Sequence, residues 1–320
     1  MATHEIEGIR SSRREVEELL KAPKSSRQKR FAEFTTVLKE YVFDRGTFTI
    51  ERVEDIRALY DRVTRGEVRA EDKLDGELFR KGPVYVYSES QRILHTGFQP
   101  EDKIHRGLQD MLDEAKLPST TKLIAAILGH FMFETVHPFY DGNGRTGRVL
   151  LGYHLRDILA SSSILSLSQA ISESKRLYYN ALKDALDRRN HGELTHFIIT
   201  MMTFIRSAQN ALLSDLKQSS QRIQHLQKNL NGLGFDSQPQ GYKPHILTAI
   251  LLEIGQDYAF GSELGLTLNE LGENEELSIN RRALSSHCAE LVNRGFLEIT
   301  RKRPLTYTLT LEAAQQFALD

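Results

Sequence analysis

His137 to Arg148 read H-P-F-Y-D-G-N-G-R-T-G-R, which gathers one histidine, one carboxylate, three glycines and two arginines into twelve residues. An imidazole with an ordinary pKa of about 6.5 can take a proton from an attacking hydroxyl at neutral pH. Asp141 offers the oxygen donor that magnesium prefers, and one carboxylate suffices when phosphate oxygens and water complete the octahedron. Gly142, Gly144 and Gly147 let a backbone approach a ligand with no side chain in the way. Where such a loop opens a helix, the first unpaired N–H groups and the positive helix end form a nest for phosphate. Arg145 and Arg148, three apart, would leave one face of that helix and fork onto further phosphate oxygens. Base, metal ligand, anion cradle and guanidinium groups together are the parts needed for transfer to or from a phosphorus centre. Phe139 is the apolar anchor that would bury the loop.

Taken singly, each feature has a plainer reading: DGNG is an ordinary turn, arginines three apart usually form a solvated face, and a histidine beside proline is usually structural. Their concentration in one loop favours chemistry. The loop is not a Walker A motif, because G-x-x-x-x-G-K-[ST] is absent from it.

The elements around the loop must position it. Thr120 to Val136 (TTKLIAAILGHFMFETV) is apolar on nearly every side, which predicts a helix at the centre of a bundle. Asn143 to Leu159 resumes helical spacing, with Val149, Leu150, Leu151 and Leu155 as its apolar face. The loop therefore bridges a buried helix and the N-terminus of another. Between Pro83 and Phe98, Val84, Tyr85, Val86 and Tyr87 favour strand, Ser88-Glu89-Ser90 favours a turn, and Ile93-Leu94 resumes the strand. This predicts a short hairpin in a helical domain. Ser12-Arg13-Arg14-Glu15 is a capping-box pattern ahead of Val16, Leu19 and Leu20. A long helix is expected from Glu193 to Leu230, polar after Ser207, followed by a linker rich in Gly, Pro, Gln and Asn. Helices over Ile246–Ile254, Leu268–Leu277 and Ile279–Arg294, then a hairpin over Phe296–Thr310, make a winged helix-turn-helix pattern.

At the scale of the chain, 320 residues suit two domains. With 40% hydrophobic and 27% charged residues, a globular core is expected. The net charge of −1 argues against a protein that coats nucleic acid. A single cysteine, Cys288, excludes an intrachain disulfide framework and points to a reducing compartment. No apolar run reaches spanning length and Met1–Arg10 lacks a signal-peptide core, so a cytoplasmic protein with no membrane partner is expected.

The loop resembles the signature of the Fic family, H-P-F-x-[D/E]-G-N-G-R-x-x-R, with every specified position matched. The resemblance reaches from about Thr3 to the helical region near Gln209. It implies a mainly α fold: a Fic-type helical bundle with a short β-hairpin flap, joined here to a C-terminal winged helix-turn-helix domain. The expected organisation is an N-terminal inhibitory helix region over 1–22, a catalytic domain over 23–230, a linker over 231–244 and a winged-helix domain over 245–320. It implies a protein adenylyltransferase that moves AMP from ATP to a Ser, Thr or Tyr hydroxyl of a target protein, the chain itself included, with magnesium as cofactor. By the same resemblance His137 is the catalytic base and Asp141 the metal ligand. Gly142, Asn143, Gly144 and Arg145 hold the α- and β-phosphates, and Arg148 meets the γ-phosphate. Related Doc-type kinases carry lysine where Gly144 stands, so AMP transfer is expected over phosphate transfer. Tyr178 and Tyr179 resemble a tyrosine pair lining the nucleoside side of the pocket. Val84, Tyr85, Val86, Tyr87, Ile93 and Leu94 resemble the flap that docks the target segment by strand addition.

Thr3-His4-Glu5-Ile6-Glu7-Gly8 fits the family's inhibitory motif, [S/T]-x-x-x-E-[G/N]. The resemblance implies that Thr3, Glu7 and Gly8 regulate the site, with Glu7 competing with the γ-phosphate for Arg148. Removal of AMP from the target, or transfer of another nucleotide or phosphate group, also fits this fold. A nucleotide-sensing DNA-binding regulator is a third reading, against which an intact base and metal ligand argue.

In the last domain Asn280, Arg281, Arg282, Ser285, Ser286 and His287 would begin the helix that enters a groove, and Arg301, Lys302 and Arg303 would tip the wing. Residues 241–320 nevertheless hold seven Lys/Arg against eleven Asp/Glu, which opposes the phosphate attraction that dominates DNA affinity. DNA and protein both remain open as partners of this domain, and the oligomeric state is open too.

Overall fold

The computed structural model describes residues 40, 48–65, 67–87, 93–117, 121–233, 242–261, 264–277 and 279–319. By compactness the chain divides into Met1–Leu212 and Leu213–Asp320. In the first unit, α1 (Val53–Val63) precedes a hairpin of β1 (Tyr85–Tyr87) and β2 (Ile93–Thr96). Then follow α2 (Glu101–Glu114), α3 (Lys122–Val136), α4 (Asn143–Leu155), α5 (Ser161–Glu173) and α6 (Lys175–Leu186). The long α7 spans Thr195–Asn231, and the division by compactness falls inside it. The sequence places a linker at 231–244, of which 234–241 lie outside the described residues.

Each helix buries the face its spacing dictates. In α1, Val53, Ile56, Leu59, Tyr60 and Val63 are buried. The Asp55 carboxylate accepts the backbone N–H of Arg52 at 2.9 Å, satisfying an amide that the first turn leaves open. In α2, Ile104, Leu108, Met111 and Leu112 point inward. The carboxylate of Glu101, at the start of α2, accepts N–H bonds from Leu78 at 2.7 Å and Phe79 at 2.8 Å, and so fixes the strand of chain that leads into the hairpin.

The largely apolar α3 lies centrally, as its composition predicts. Its Phe133 and Val136 join one core cluster with residues of α1 and α2, while Ala126 and Ile127 join another with Leu167, Tyr178, Phe197 and Met201. The neighbouring α4 divides in the same way, Val149 and Leu150 into the first cluster and Leu151 and Leu155 into the second. Gly147 sits where α4 meets α3. A Cβ there would lie 2.6 Å from Glu134 Oε1 and 2.9 Å from Phe133 Cδ1. This glycine therefore serves helix packing, whereas the sequence suggests an open approach to a ligand.

The hairpin pairs antiparallel, with Tyr85 opposite Thr96 and Val86 opposite His95, and its register shifts between Val86 and Tyr87. The turn at 88–92 lies outside the described residues.

The second unit holds α8 (Pro244–Ala259), β3 (Leu266–Thr267), α9 (Leu268–Gly272), α10 (Arg281–Asn293), β4 (Leu297–Lys302), β5 (Leu305–Leu309) and α11 (Leu311–Gln316). Its sheet has the order β3-β5-β4, antiparallel throughout. Two elements, β3 and α11, escape the sequence reading because each is short. Thr267, Asn280 and Thr310 accept backbone N–H groups from Glu270, Ala283 and Ala313, which fixes the starts of α9, α10 and α11. Ile246, Leu247, Ile250, Leu284, Leu291, Leu309 and Phe317 form its core, together with Cys288. Burial pushes the Cys288 thiol up to about 12, so it acts as an apolar side chain there. Among the described residues no helix is long and apolar enough to cross a membrane.

Candidate active site

His137 caps α3 in the left-handed region, with φ 51° and ψ 64°. A non-glycine residue adopts that conformation at a cost of about 1–2 kcal/mol, so the surroundings must hold it. Its N–H donates to the Phe133 carbonyl at 2.9 Å, and Nδ1 lies 3.3 Å from the carbonyl oxygen of Glu134. A proton on Nδ1 serves that carbonyl and leaves Nε2 as the basic nitrogen. The His137 side chain is 16% exposed.

The turn after His137 closes on itself. Asn143 Nδ2 donates to the Phe139 carbonyl at 2.7 Å, and Asn143 Oδ1 accepts the Phe139 N–H at 2.9 Å. The Phe139 ring is fully buried and stacks on Tyr60 with centroids 3.7 Å apart, as an anchor should. With its side-chain amide so committed, Asn143 has its backbone N–H to offer an anion. Gly142 takes φ 81° at the N-cap of α4, and the first helical bond runs from Thr146 N–H to the Gly142 carbonyl at 3.0 Å. The amides of Asn143, Gly144 and Arg145 thus fall in the first turn, where the helix supplies no acceptor. Tyr140, the residue at the first unspecified position of the signature, ties the loop to the hairpin's root. Its hydroxyl accepts from the Gly82 N–H at 2.8 Å and donates to Asp75 at 3.0 Å.

Asp141 is 44% exposed. One of its oxygens accepts the Gly142 N–H at 2.6 Å, and the other pairs with Arg145 Nη2 at 3.1 Å. Arg145 also pairs with Glu67, and its side chain is 3% exposed. Arg145 thus contacts the carboxylate, and the resemblance gives it the task of assisting at the phosphates. Among the described residues no three His, Cys, Asp or Glu side chains cluster as a metal site. One carboxylate fits magnesium only where a ligand's oxygens and water complete the shell, and does not fit an all-protein cage.

A cavity of about 190 Å³ is lined by Val86, Glu134, His137, Tyr140, Asp141, Gly142, Asn143, Gly144, Arg148, Tyr178, Tyr179, Leu182 and Leu186. The structure thus brings together nine residues singled out in the sequence: His137, Asp141, Gly142, Asn143, Gly144, Arg148, Tyr178, Tyr179 and Val86 of the hairpin. Arg145 is outside that lining. Tyr85 and Ile93 are exposed on the hairpin. The carbonyl of Val84 accepts the Gly97 N–H at 3.0 Å, while the Leu94 side chain lies outside the described residues. Thr3, Glu7 and Gly8 lie outside them too, as does the whole expected inhibitory region 1–22.

Two side chains that the sequence reading passes over support this wall. His130 Nε2 lies 2.9 Å from the Tyr178 hydroxyl, and its Nδ1 lies 3.3 Å from the Gly147 carbonyl. Burial, reinforced by the charge of Arg148, pushes the His130 imidazole down to about 4. It is neutral at pH 7, so Nδ1–H donates to Gly147 and Nε2 accepts from Tyr178. The signal in the sequence is a lone histidine in an otherwise apolar helix. Glu67 is the other, on a loop far from the signature, and nothing in its neighbourhood marks it.

Residues 48–155, which contain the signature loop, match the family model described as the Fic/DOC family. Protein adenylyltransferase Fic of Drosophila willistoni is 30% identical over 148 residues, which is 46% of this chain and 26% of that protein. A probable protein adenylyltransferase of Aquifex aeolicus is 38% identical over 60 residues, which is 19% of this chain and 17% of that protein. The matches thus span about a quarter or less of these curated relatives. The crystal structure of a Fic family protein from Desulfovibrio desulfuricans G20 superposes with a TM-score of 0.55 at 20% identity, covering 97% of this chain and 84% of that one. The likeness shows the fold: mainly helical, with small antiparallel sheets.

Proposed function

We propose that this chain is a protein adenylyltransferase, transferring AMP from ATP to a Ser, Thr or Tyr hydroxyl of a target protein. The observation that carries this reading is the convergence of His137, Asp141, Arg148 and the N-terminus of α4 on one cavity. The names of the matched relatives support it: one is a protein adenylyltransferase and the other a probable one.

In this reading the amides of the first turn of α4 and the Arg148 guanidinium hold the phosphate chain, and Tyr178 and Tyr179 flank the nucleoside. The target hydroxyl oxygen attacks the α-phosphorus, and His137 Nε2 takes its proton. The oxygen–phosphorus bond to the target forms as the bond to the β-phosphate bridging oxygen breaks, and pyrophosphate leaves. Asp141 would hold magnesium, which supplies charge neutralisation on the phosphate oxygens. The exposed β-hairpin would add the target segment as a further strand, placing its hydroxyl over the cavity. We further propose that Glu7 competes with the γ-phosphate for Arg148 and restrains the activity. Residues 245–320 act in this account as a winged-helix docking module.

Incubation with ATP labelled at the α- or γ-phosphate tests the central step. Label from the α position should reach protein, and His137→Ala should abolish it. Label arriving from the γ position instead would make the chain a kinase. Glu7→Gly should raise self-labelling in the same assay, and unchanged labelling would remove the proposed brake.

A further inference from the structure

We propose that Arg80 is the positioning residue for His137. Its guanidinium closes the C-terminal end of α3 and locks the hairpin's root to the base, a role that rests on reading His137 as the base. Helices end with carbonyls that lack intrahelical donors, and buried ones must find partners elsewhere. At this helix end the partners can be named in turn. The Phe133 carbonyl takes the His137 N–H, and the Glu134 carbonyl faces His137 Nδ1. The Thr135 carbonyl meets His95 Nε2 of β2 at 2.5 Å, and the Val136 carbonyl accepts the Phe98 N–H at 2.9 Å. The His137 carbonyl itself is held by Arg80, from Nε at 3.0 Å and Nη2 at 2.8 Å.

Arg80 is fully buried, and its third nitrogen, Nη1, donates to the Gly82 carbonyl at 2.6 Å. Its hydrogen bonds among the described residues therefore run to backbone carbonyls. A buried cation is costly unless its surroundings compensate it. The negative end of α3, with its converging carbonyls, is such a surrounding. The planar fork of arginine spans two carbonyls at once, a geometry that the single ammonium of lysine cannot reproduce.

Gly97 supplies an independent sign that this contact is built. A Cβ on Gly97 would collide with Arg80 Nη2 and lie 3.1 Å from His137 Cβ, so the residue after β2 leaves open the space that the guanidinium fills. Gly82 before β1 is held by Arg80, His95 of β2 and Phe98 after it bond to carbonyls at the end of α3, and Val84 and Gly97 bond to each other across the hairpin's root. The left-handed turn of His137 is thus the point where hairpin and helix are joined. Releasing the His137 carbonyl frees that residue to relax toward ordinary backbone angles and swings the imidazole off its line.

The test uses the full chain with Arg80→Lys and Arg80→Gln. Transfer from α-labelled ATP should lose about tenfold to a hundredfold in kcat, the scale of a base displaced by an ångström. KM for ATP should stay within about twofold of the parent, because the phosphate cradle belongs to α4. The imidazole signals of His137, assigned in carbon–proton NMR spectra through their loss in His137→Asn, should move in Arg80→Lys with no ligand present. Unchanged kcat with unmoved His137 signals would overturn the proposal, and so would a kcat loss matched by an equal rise in KM with those signals unmoved. If Arg80→Gln fails to fold, Arg80→Lys still decides. If the parent protein transfers no label at all, the adenylyl-transfer reading fails, while the NMR comparison still judges Arg80.

Discussion

The His130 imidazole, sealed between α3, α4 and α6, gives the fold a pH dependence of its own. His130 is 1% exposed and held down to about 4 by burial, first, and by Arg148. In the unfolded chain it would titrate at about 6.5. Between those values the unfolded state binds the extra proton, so this residue's share of stability is complete above pH 6.5 and is lost as pH falls toward 4. Denaturant unfolding of wild type should show that decline, and His130→Asn should flatten it; an equally steep decline in the variant would remove His130 as its source. At this scale legibility follows sequence distance. His137, Asp141 and Gly142 can be read because their partners stand within a few residues. His130 acts on Tyr178, 48 positions away, Arg80 on His137 across 57, and Glu67 on Arg145 across 78, so composition near each gives no hint.

The pair α3 and α4 shows what a helix pattern reveals and what it hides. Apolar residues on every side of Lys122–Val136 announce a helix packed all round, and it does feed two core clusters. The β-branched and aromatic residues of Val84–Tyr87 announce the hairpin equally well. The sequence does not reveal which glycine serves which purpose. Gly142 meets the positive φ of an N-cap, while Gly147 lets two helices touch at Phe133 and Glu134. Gly147→Ala should therefore cost about 1–3 kcal/mol of stability through overpacking. A thermal melt indistinguishable from wild type would show that the contact can yield.

Across the whole molecule, charge is balanced and the basic residues of the second unit are grouped. Arg281 and Arg282 at the start of α10 are exposed, as are Arg301, Lys302 and Arg303 at the tip of β4. His287, expected on the same face, turns inward instead: its Nδ1 meets the Ala283 carbonyl at 2.8 Å and its Nε2 accepts the Lys243 N–H at 3.2 Å. Seven basic residues against eleven acidic ones over 241–320 weaken long-range attraction to a polyanion. A gel shift across a salt series should therefore show no salt-dependent DNA affinity, as suits a protein-docking module; a steep loss of binding with salt would assign DNA instead. The division of the chain was only partly legible. Polarity after Ser207 and the Gly/Pro-rich stretch suggest a break near 231, but α7 continues to Asn231 and the second core begins on it, at Leu226 and Leu230. Packing, which decides where a unit begins, leaves little trace in composition.

The left-handed backbone at His137 also constrains how this family of loops can decay. Under the proposed reading of His137 as the base, a duplicated gene relieved of catalytic duty has no reason to keep a proton acceptor there, yet the turn still demands a residue at ease with positive φ. Asparagine, aspartate and glycine meet that demand; most other side chains do not. Silent descendants should accordingly preserve the bend while losing the imidazole, and a tally of residue types at this one position would distinguish retired enzymes from collapsed ones.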